Sequence, residues 1–222
     1  MKEQDALEFE VVDWGCVGYA ESVQRQLDLL ERVSSQGDSN TLVFVEHPPI
    51  LTLGASFHEE NLLLTPAEYA ERGIEVSRTD RGGDVTYHGP GQLVIYPIFR
   101  LDETGKDLHK WMRDLEETML LTLAEFGIGG RRFPPHTGAW VNDLKIAAIG
   151  VKVKRWVSMH GIALNCSNDL EVFQTIVPCG IHDYGVTSLS EELGRLVGPK
   201  EAKPIVASSF ARVFGRLRGS VG

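Results

Sequence analysis

Residues 139–165 read AWVNDLKIAAIGVKVKRWVSMHGIALN, and this stretch decides the class of fold. Two polar residues, Asn142 and Asp143, separate two apolar runs, and this spacing predicts a β-hairpin with a tight turn. A further apolar run over residues 157–165 continues the sheet. Because strands joined by short turns are antiparallel, the sequence favours an α+β fold over a regular βαβ alternation.

Helices flank these strands along the chain. The clearest is predicted over residues 106–126, where apolar residues that include Leu108 and Met112 recur at steps of three and four and should face the core. Thr65, followed by Pro66 and then by Glu68, predicts a helix start. Further helices are predicted near residues 18–35 and 169–176, from residue 188 and from Pro204 to about residue 217. We therefore predict a single domain over residues 1–222, with a mixed sheet and flanking helices.

The composition argues against several classes of protein. The chain has 222 residues, of which 42% are hydrophobic, and its net charge of -9 disfavours general binding to nucleic acid. No stretch approaches eighteen apolar residues and the first ten are rich in acidic groups, so we expect a soluble, cytoplasmic protein without a membrane partner. The three cysteines lack C-x-x-C spacing and the seven histidines lack ligand spacing, so we expect neither a disulfide framework nor a metal site.

A glycine-rich segment, Arg81–Gln92, precedes an apolar run at residues 93–99 that predicts a strand. Its sequence, RGGDVTYHGPGQ, contains four glycines, and glycine permits positive φ and a close approach of backbone to a ligand. The segment matches neither of the glycine spacings that bind phosphate. Spacing alone leaves two interpretations open: a tight turn between two strands, or a wall of a binding site.

Two residues outside that segment are candidates for chemistry. Cys179 follows a proline and precedes a glycine, a rigid and uncrowded position in which a thiol could act as a nucleophile. Lys145 precedes an apolar run, where a lysine either extends to solvent or has its pKa lowered by burial. Near a cysteine it would lower the thiol pKa or act as a base, but the spacing leaves open whether the two meet. We expect Cys16 and Cys166 to be buried structural residues.

Four motifs together resemble the lipoyl(octanoyl) transferase family. The first is R-G-G-x-x-T-Y-H-G-P-G-Q-L-x-x-Y-P at residues 81–97. The others are TGAWV with KIAAIGV (137–151), MHGIALN (159–165) and IVPCGI with GVTSL (176–189). The matches follow the family order over roughly residues 41–195, and four motifs in one chain are highly specific. The N-terminal forty residues and the C-terminal tail add no support.

The resemblance implies a fold similar to the catalytic domain of biotin and lipoate protein ligases. It also implies a reaction, the transfer of an octanoyl group from octanoyl-acyl carrier protein to a specific lysine of lipoyl domains. Such domains belong to the E2 subunits of 2-oxoacid dehydrogenase complexes and to the glycine cleavage H protein. No cofactor or metal is implied, and we expect a monomer.

The resemblance further implies the residues of the site. Cys179 and Lys145 correspond to the family's catalytic dyad, with an octanoyl thioester on Cys179 as the intermediate. For His88 a catalytic role and a structural role both stay open, and Arg81 would either hold the segment in place or contact the phosphopantetheine of the carrier. We expect the small residues of the substrate-contacting segments to leave room for a narrow acyl slot. These segments correspond to Arg81, Gly82, Gly83, Asp84, Val85, Thr86, Tyr87, His88, Ala148, Ile149, Gly150, Gly161, Ile162 and Ala163.

Two other functions remain as alternatives. An ATP-dependent lipoate or octanoate protein ligase would share the fold, but it needs a phosphate-handling loop and no nucleophilic cysteine. A non-catalytic acyl-binding module could keep the slot alone. The position of Cys179 within its motif argues against the first alternative, and the presence of both dyad residues argues against the second.

Overall fold

The segment near residues 169–176, predicted to be helical, forms only a short 3₁₀ turn at Glu171–Thr175.

The computed structural model describes residues 7–102, 105–177 and 184–218. The strands are β1 (Leu7–Cys16), β2 (Asn40–Glu46), β3 (Ile50–Leu53), β4 (Glu75–Arg78), β5 (Val85–His88), β6 (Gln92–Ile98), β7 (Arg131–Phe133), β8 (His136–Val141), β9 (Leu144–Lys154), β10 (Val157–Asn165), β11 (Gly185–Val186) and β12 (Gly215–Leu217). The α-helices are α1 (Tyr19–Glu31), α2 (Pro66–Glu71), α3 (Leu108–Glu125), α4 (Leu189–Leu193) and α5 (Pro199–Phe214).

The larger sheet is mixed and has nine strands within the described residues. Its order is β12-β1-β2-β6-β10-β9-β8-β7, with β11 beside β9. β1 runs parallel to β12 and to β2. The five other neighbouring pairs along this order, β2–β6, β6–β10, β10–β9, β9–β8 and β8–β7, are antiparallel. The predicted hairpin is β8–β9, which turns at Asn142, where φ is 50°. These features confirm the predicted α+β class with a mixed sheet.

A smaller sheet, in the order β4-β3-β5, contains a third of the glycine-rich segment. The expectation of one loop between two strands is wrong, because β5 lies inside the segment and pairs with β3. Val85 and Tyr87 point into a small apolar cluster with Leu51 and Phe173, so the segment has a strand's alternation of buried side chains. The segment therefore consists of a loop at residues 81–84, a strand, and a turn at residues 89–91.

Helices cover both faces of the larger sheet. On one face α3 and α5 bury an aromatic cluster in which Trp111 lies 5.9 Å from Phe99 and 5.0 Å from Phe214, measured between ring centroids. Burial of each such ring stabilises the fold by about 1.5–3 kcal/mol. On the other face α1 and the turn after it contribute Leu30 and Val33, which are fully buried against β2 and β10. No helix in the described part of the chain is long and apolar enough to cross a membrane.

Several local predictions need correction. The last helix begins at Pro199 rather than at Pro204. Proline is favoured in the first turn of a helix, and Pro199 occupies that turn, whereas Pro204 lies inside the helix. Leu108, the first residue of α3, is exposed, and Met112 on the same helix lines a cavity rather than the core. Cys16 is exposed at the end of β1, whereas Cys166 is buried as predicted.

Candidate active site

A cavity of about 430 Å³ lies between the glycine-rich segment and the paired strands β9 and β10. Twelve of the fourteen residues predicted to contact substrate line it, together with Lys145. The two exceptions are Asp84 and Tyr87. Asp84 is buried and accepts hydrogen bonds from Asn61 and His58, whereas Tyr87 packs against Phe173. Asp84 lies just before β5 and is held by these bonds, whereas Tyr87 points into the small apolar cluster beside the cavity.

An irregularity in the β8–β9 ladder sets the direction of the Lys145 side chain. Ala139 pairs with Ala147, but the next residue, Trp140, pairs with Lys145, so β9 carries one extra residue at this point. Such a bulge re-aims a side chain. The Lys145 side chain is 8% exposed and lines the cavity, with its Nζ 4.9 Å from the centroid of the Trp140 ring. The lysine is therefore buried and does not extend to solvent.

Gly138 provides the space that this arrangement needs. Its φ is 131°, and a Cβ there would lie 2.4 Å from the Ala147 carbonyl oxygen. The Gly138 N–H donates to Glu116 Oε1 at 3.2 Å, and the fully buried Glu116 carboxylate also accepts from Arg113 and Arg132. A buried carboxylate is tolerated only with such partners. Glu116 therefore connects α3 to the part of β8 that lies beside Lys145.

The loop at residues 81–84 is attached to the sheet by its own arginine and by its backbone. The buried Arg81 guanidinium donates to the Thr52 side chain and to the main-chain oxygens of Thr52, Gly82 and Asp84. The Gly82 N–H donates to the main-chain oxygen of Val151 on β9 at 3.0 Å. Of the two roles left open for Arg81, the contacts support the one that holds the loop in place. Because Arg81 also lines the cavity, contact with a substrate stays a prediction.

Two predicted slot glycines serve mainly to bring backbones together. A Cβ on Gly150 would lie 2.6 Å from the Gly82 oxygen, and a Cβ on Gly161 would lie 2.2 Å from the Ile95 oxygen. Neither Cβ vector points into open space, so these two glycines do more than leave room for a slot. Their absent side chains let the glycine-rich loop and β6 approach the sheet closely.

The outer edge of β9 presents main-chain groups to the cavity. In an antiparallel pair, successive residues turn their N–H and C=O alternately toward and away from the partner strand. Because the Val151 oxygen faces outward to Gly82, Ile149 also faces outward, while Gly150 faces Gly161 on β10. Ile149 also lines the cavity, with its main-chain groups on the same outward side of β9 as the Val151 oxygen.

His88 lies in a buried chain of hydrogen bonds. The side-chain amide of Gln92 donates to the Tyr87 main-chain oxygen and to Asn165 Oδ1. The amide is thereby oriented so that Gln92 Oε1 accepts from His88 Nδ1 at 2.8 Å. Thr52 Oγ1 lies 3.3 Å from Nε2, the remaining acceptor of a neutral ring. Burial lowers the pKa of His88 to about 3. The side chain is neutral near pH 7, and these contacts favour the structural role.

The sequence did not single out several polar residues that line the same cavity. His160 is buried, and its Nε2 donates to Asp80 at 2.8 Å; burial lowers its pKa, and the bond to Asp80 opposes that change. Its φ of 56° is unusual within a strand. Tyr19, at the start of α1, stacks on His88 at 6.1 Å between ring centroids. The signal that could have found His160 is its place in the MHGIALN motif, whereas Tyr19 has no local signal.

Cys179 lies outside the described residues, but the chain is attached to the rest of the protein on both sides of its segment. Before it, the Val177 N–H donates to the Asn61 oxygen at 2.9 Å. After it, Val186 pairs with Lys145 in parallel register, and the Thr187 N–H donates to the Lys145 oxygen at 3.0 Å. Five residues lie between Cys179 and Gly185, which pairs with Leu144. Whether the thiol and the amine meet stays a prediction.

The chain belongs to the lipoyl protein ligase A/B catalytic-domain family, whose sequence model matches residues 18–211. Within that family it is a transferase, similar over most of its length to octanoyltransferases. The family assignment from the four motifs is thereby confirmed.

The sequence similarity to these relatives extends over most of the chain. The octanoyltransferase of Rubrobacter xylanophilus is 46% identical, over 90% of this chain and 91% of its own length. That of Chloroflexus aggregans is 45% identical, over 90% and 92%. That of Myxococcus xanthus is 48% identical over 81% of this chain, and the match spans 52% of the longer Myxococcus protein. These similarities support octanoyl transfer in lipoylation as the activity.

Solved structures with the same fold have much lower sequence identity. A lipoate-protein ligase A bound with ATP has a TM-score of 0.76 at 15% identity, over 98% of this chain and 90% of that one. A putative lipoate protein ligase from T. acidophilum has a TM-score of 0.75 at 16% identity, over 97% and 90%. The apo biotin protein ligase from Aquifex aeolicus reaches 0.50 at 13% identity, over 93% and 68%. The predicted similarity of fold to both ligase types is confirmed.

Proposed function

We propose that this protein transfers an octanoyl group from octanoyl-acyl carrier protein to a lysine of lipoyl domains, through a thioester on Cys179. The observation that carries the proposal is Lys145, a buried amine that lines the cavity beside the strand that follows the Cys179 segment. The similarity to octanoyltransferases over nine-tenths of the chain supports the choice of acyl group.

The first half of the reaction loads the enzyme. The Cys179 thiolate attacks the carbonyl carbon of the octanoyl thioester, which forms a new C–S bond and a tetrahedral oxyanion. The oxyanion collapses, the bond to the carrier sulfur breaks, and the departing thiolate takes a proton from the Lys145 ammonium. One thioester replaces another, so the step is nearly balanced in energy and needs no ATP.

The second half transfers the chain to the acceptor. The neutral amine of the lipoyl-domain lysine attacks the Cys179 thioester, a C–N bond forms, and the C–S bond breaks. The proton that the attacking nitrogen loses passes to the Lys145 amine, which its first proton transfer left neutral. The products are an octanoyl amide and the Cys179 thiolate beside a Lys145 ammonium, so the dyad is restored. Because an amide is more stable than a thioester, this half drives the cycle.

The cavity supports an acyl chain of this size. Its floor carries small and apolar side chains, including Val94, Ala148 and Ala163. Burial of each methylene group contributes about 0.8 kcal/mol, so a chain of eight carbons gains several kcal/mol in such a slot. Main-chain groups of the glycine-rich loop form the opposite wall. Chain-length selection then depends on the depth of the slot.

The proposal extends to the partners and the setting. The acceptors would be the lipoyl domains of 2-oxoacid dehydrogenase E2 subunits and the glycine cleavage H protein. We propose a cytoplasmic location, because the nucleophile is a free thiol, and a monomeric enzyme, because one chain supplies both members of the dyad.

A two-substrate assay tests the proposal against the ligase alternative. Purified protein is incubated with a lipoyl domain and either octanoyl carrier protein without ATP, or octanoate with ATP, and the lipoyl domain is weighed by mass spectrometry. We expect the octanoyl adduct with the carrier alone. Modification only in the presence of ATP and octanoate would contradict the transferase mechanism, and modification in neither mixture would favour a non-catalytic module.

A further inference from the structure

The Trp140 ring forms a platform beneath the amine of Lys145. The two residues pair directly across the β8–β9 ladder, and Lys145 Nζ lies 4.9 Å from the centroid of the ring. The face of an indole ring attracts a cation but attracts a neutral amine far less. Both side chains are buried, at 1% and 8% exposure, so solvent screens the attraction only weakly.

Neighbouring rings pack against Trp140. Phe133 packs at 5.0 Å, Tyr184 at 5.9 Å and His136 at 6.1 Å, measured between ring centroids. The indole N–H of Trp140 has no hydrogen-bond partner among the described residues. The contribution of this side chain is therefore its aromatic surface, and replacement by phenylalanine removes no hydrogen bond within the part of the chain that the structure describes.

We propose that Trp140 is a positioning residue, which holds the Lys145 amine in its charged form at the cavity wall. The consequence for catalysis rests on the proposed function, in which the ammonium stabilises the Cys179 thiolate and protonates the departing carrier sulfur. Without the ring, the pKa of Lys145 falls, and the ammonium is held less firmly against the cavity wall. Loading from the carrier then slows, while affinity for the carrier is unchanged.

Other charged and titratable groups surround Lys145. His136 on β8 lines the same cavity, and Tyr184 precedes β11. Glu116 on α3 lies behind Gly138, where its carboxylate is already paired with two arginines. Cys179 joins them under the proposed function. None of these groups is removed when Trp140 is replaced, so a change in the titration of Lys145 in such a variant is attributable to the ring.

Competitive labelling measures the charge of Lys145 without any substrate. Trace acetic anhydride is added across a range of pH, and the extent of Lys145 acetylation is read by peptide mapping. We expect the labelling midpoint of Trp140→Leu to lie about one pH unit below that of the wild type, and that of Trp140→Phe to fall between them. Phe133→Leu is the matched control, since it removes a ring from the same cluster but not from beneath Lys145, and it should keep the wild-type midpoint.

The outcomes separate this inference from the proposed function. A wild-type midpoint in folded Trp140→Leu, or an equal shift in Phe133→Leu, would overturn the inference. If Trp140→Leu does not fold, the comparison of Trp140→Phe with Phe133→Leu decides. A shifted midpoint in a protein that never accepts octanoate would leave the platform intact and reject the acyl transfer. Where transfer occurs, Trp140→Phe should lower kcat for loading and leave KM unchanged.

Discussion

The Gly82 N–H donates to the main-chain oxygen of Val151 at 3.0 Å, and this bond joins the glycine-rich loop to the side of β9 that faces away from β10. The cavity lies where these two backbones approach each other. Gly150 makes the approach possible, because any side chain at that position would meet the Gly82 oxygen. The loop and β9 are therefore expected to act as one structural unit, and changes at their contact should reach the site.

Gly150→Ala should disrupt that contact. Its Cβ would lie 2.6 Å from the Gly82 oxygen, which is backbone and must shift. We expect a loss of about 1–3 kcal/mol in the free energy of unfolding, measured in urea, and a large loss of octanoyl transfer. Gly129→Ala is the control, because a Cβ there has no neighbour within 4 Å, and it should change neither quantity. Equal effects of the two substitutions would contradict the close approach.

His88→Gln should change how stability depends on pH. The folded pKa of His88 is about 3 and the unfolded value is about 6.5, so only the unfolded state takes up this proton between those values. Stability therefore falls as pH falls below about 6.5. Between pH 7 and pH 5 the wild type should lose about 2 kcal/mol more than His88→Gln. Parallel losses, measured by urea unfolding at both pH values, would show that His88 is not held neutral.

Glu116→Gln should disturb the position of Lys145, because Glu116 holds the neighbouring Gly138 of β8. It weakens the bonds to Arg113 and Arg132 around a fully buried position, and we expect a loss of about 1–3 kcal/mol in stability with a lower kcat for transfer. Glu117→Gln is the matched control, since its carboxylate pairs with Arg132 at the surface. It should cost less than about 1 kcal/mol and leave kcat unchanged. Similar losses in both variants would argue that Glu116 has no special link to the site.

The three cysteines should differ sharply in their importance. Cys179→Ala is expected to abolish transfer and to retain the fold, because the thiol forms the intermediate. Cys16 is exposed and Cys166 is buried in the core, so their alanine variants should retain most activity, with a modest loss of stability for Cys166→Ala. Thermal unfolding and transfer rates of all three variants test this. Inactivity of a folded Cys16→Ala or Cys166→Ala would identify a different nucleophile.

Patterns within single elements predicted most of the fold. The Asn142–Asp143 turn predicted the β8–β9 hairpin, and the capping box of Thr65 and Glu68 predicted the start of α2; both are present. Local signals failed where neighbours along the chain lie in different sheets. β5 was not predicted inside the glycine-rich segment, because its apolar and polar residues alternate over only four positions between Gly83 and Gly89.

Motifs found the walls of the cavity, but distances in sequence could not assemble it. The bulge that turns Lys145 onto Trp140 depends on how β8 pairs with β9, and no residue spacing reveals that register. His160 reaches the site beside Asp80, eighty residues earlier in the chain. Long-range pairing of this kind is decided by the packing of the whole sheet and has no signature in a short stretch of sequence.

Intact-protein mass spectrometry tests the central claim most directly. The protein is mixed with octanoyl-acyl carrier protein in the absence of ATP, weighed, and then digested for peptide mapping. We expect one octanoyl group on Cys179, which disappears when a lipoyl domain is added and reappears on a lysine of that domain. An octanoylated lipoyl domain, formed by a Cys179→Ala variant at the wild-type rate, would contradict the thioester mechanism.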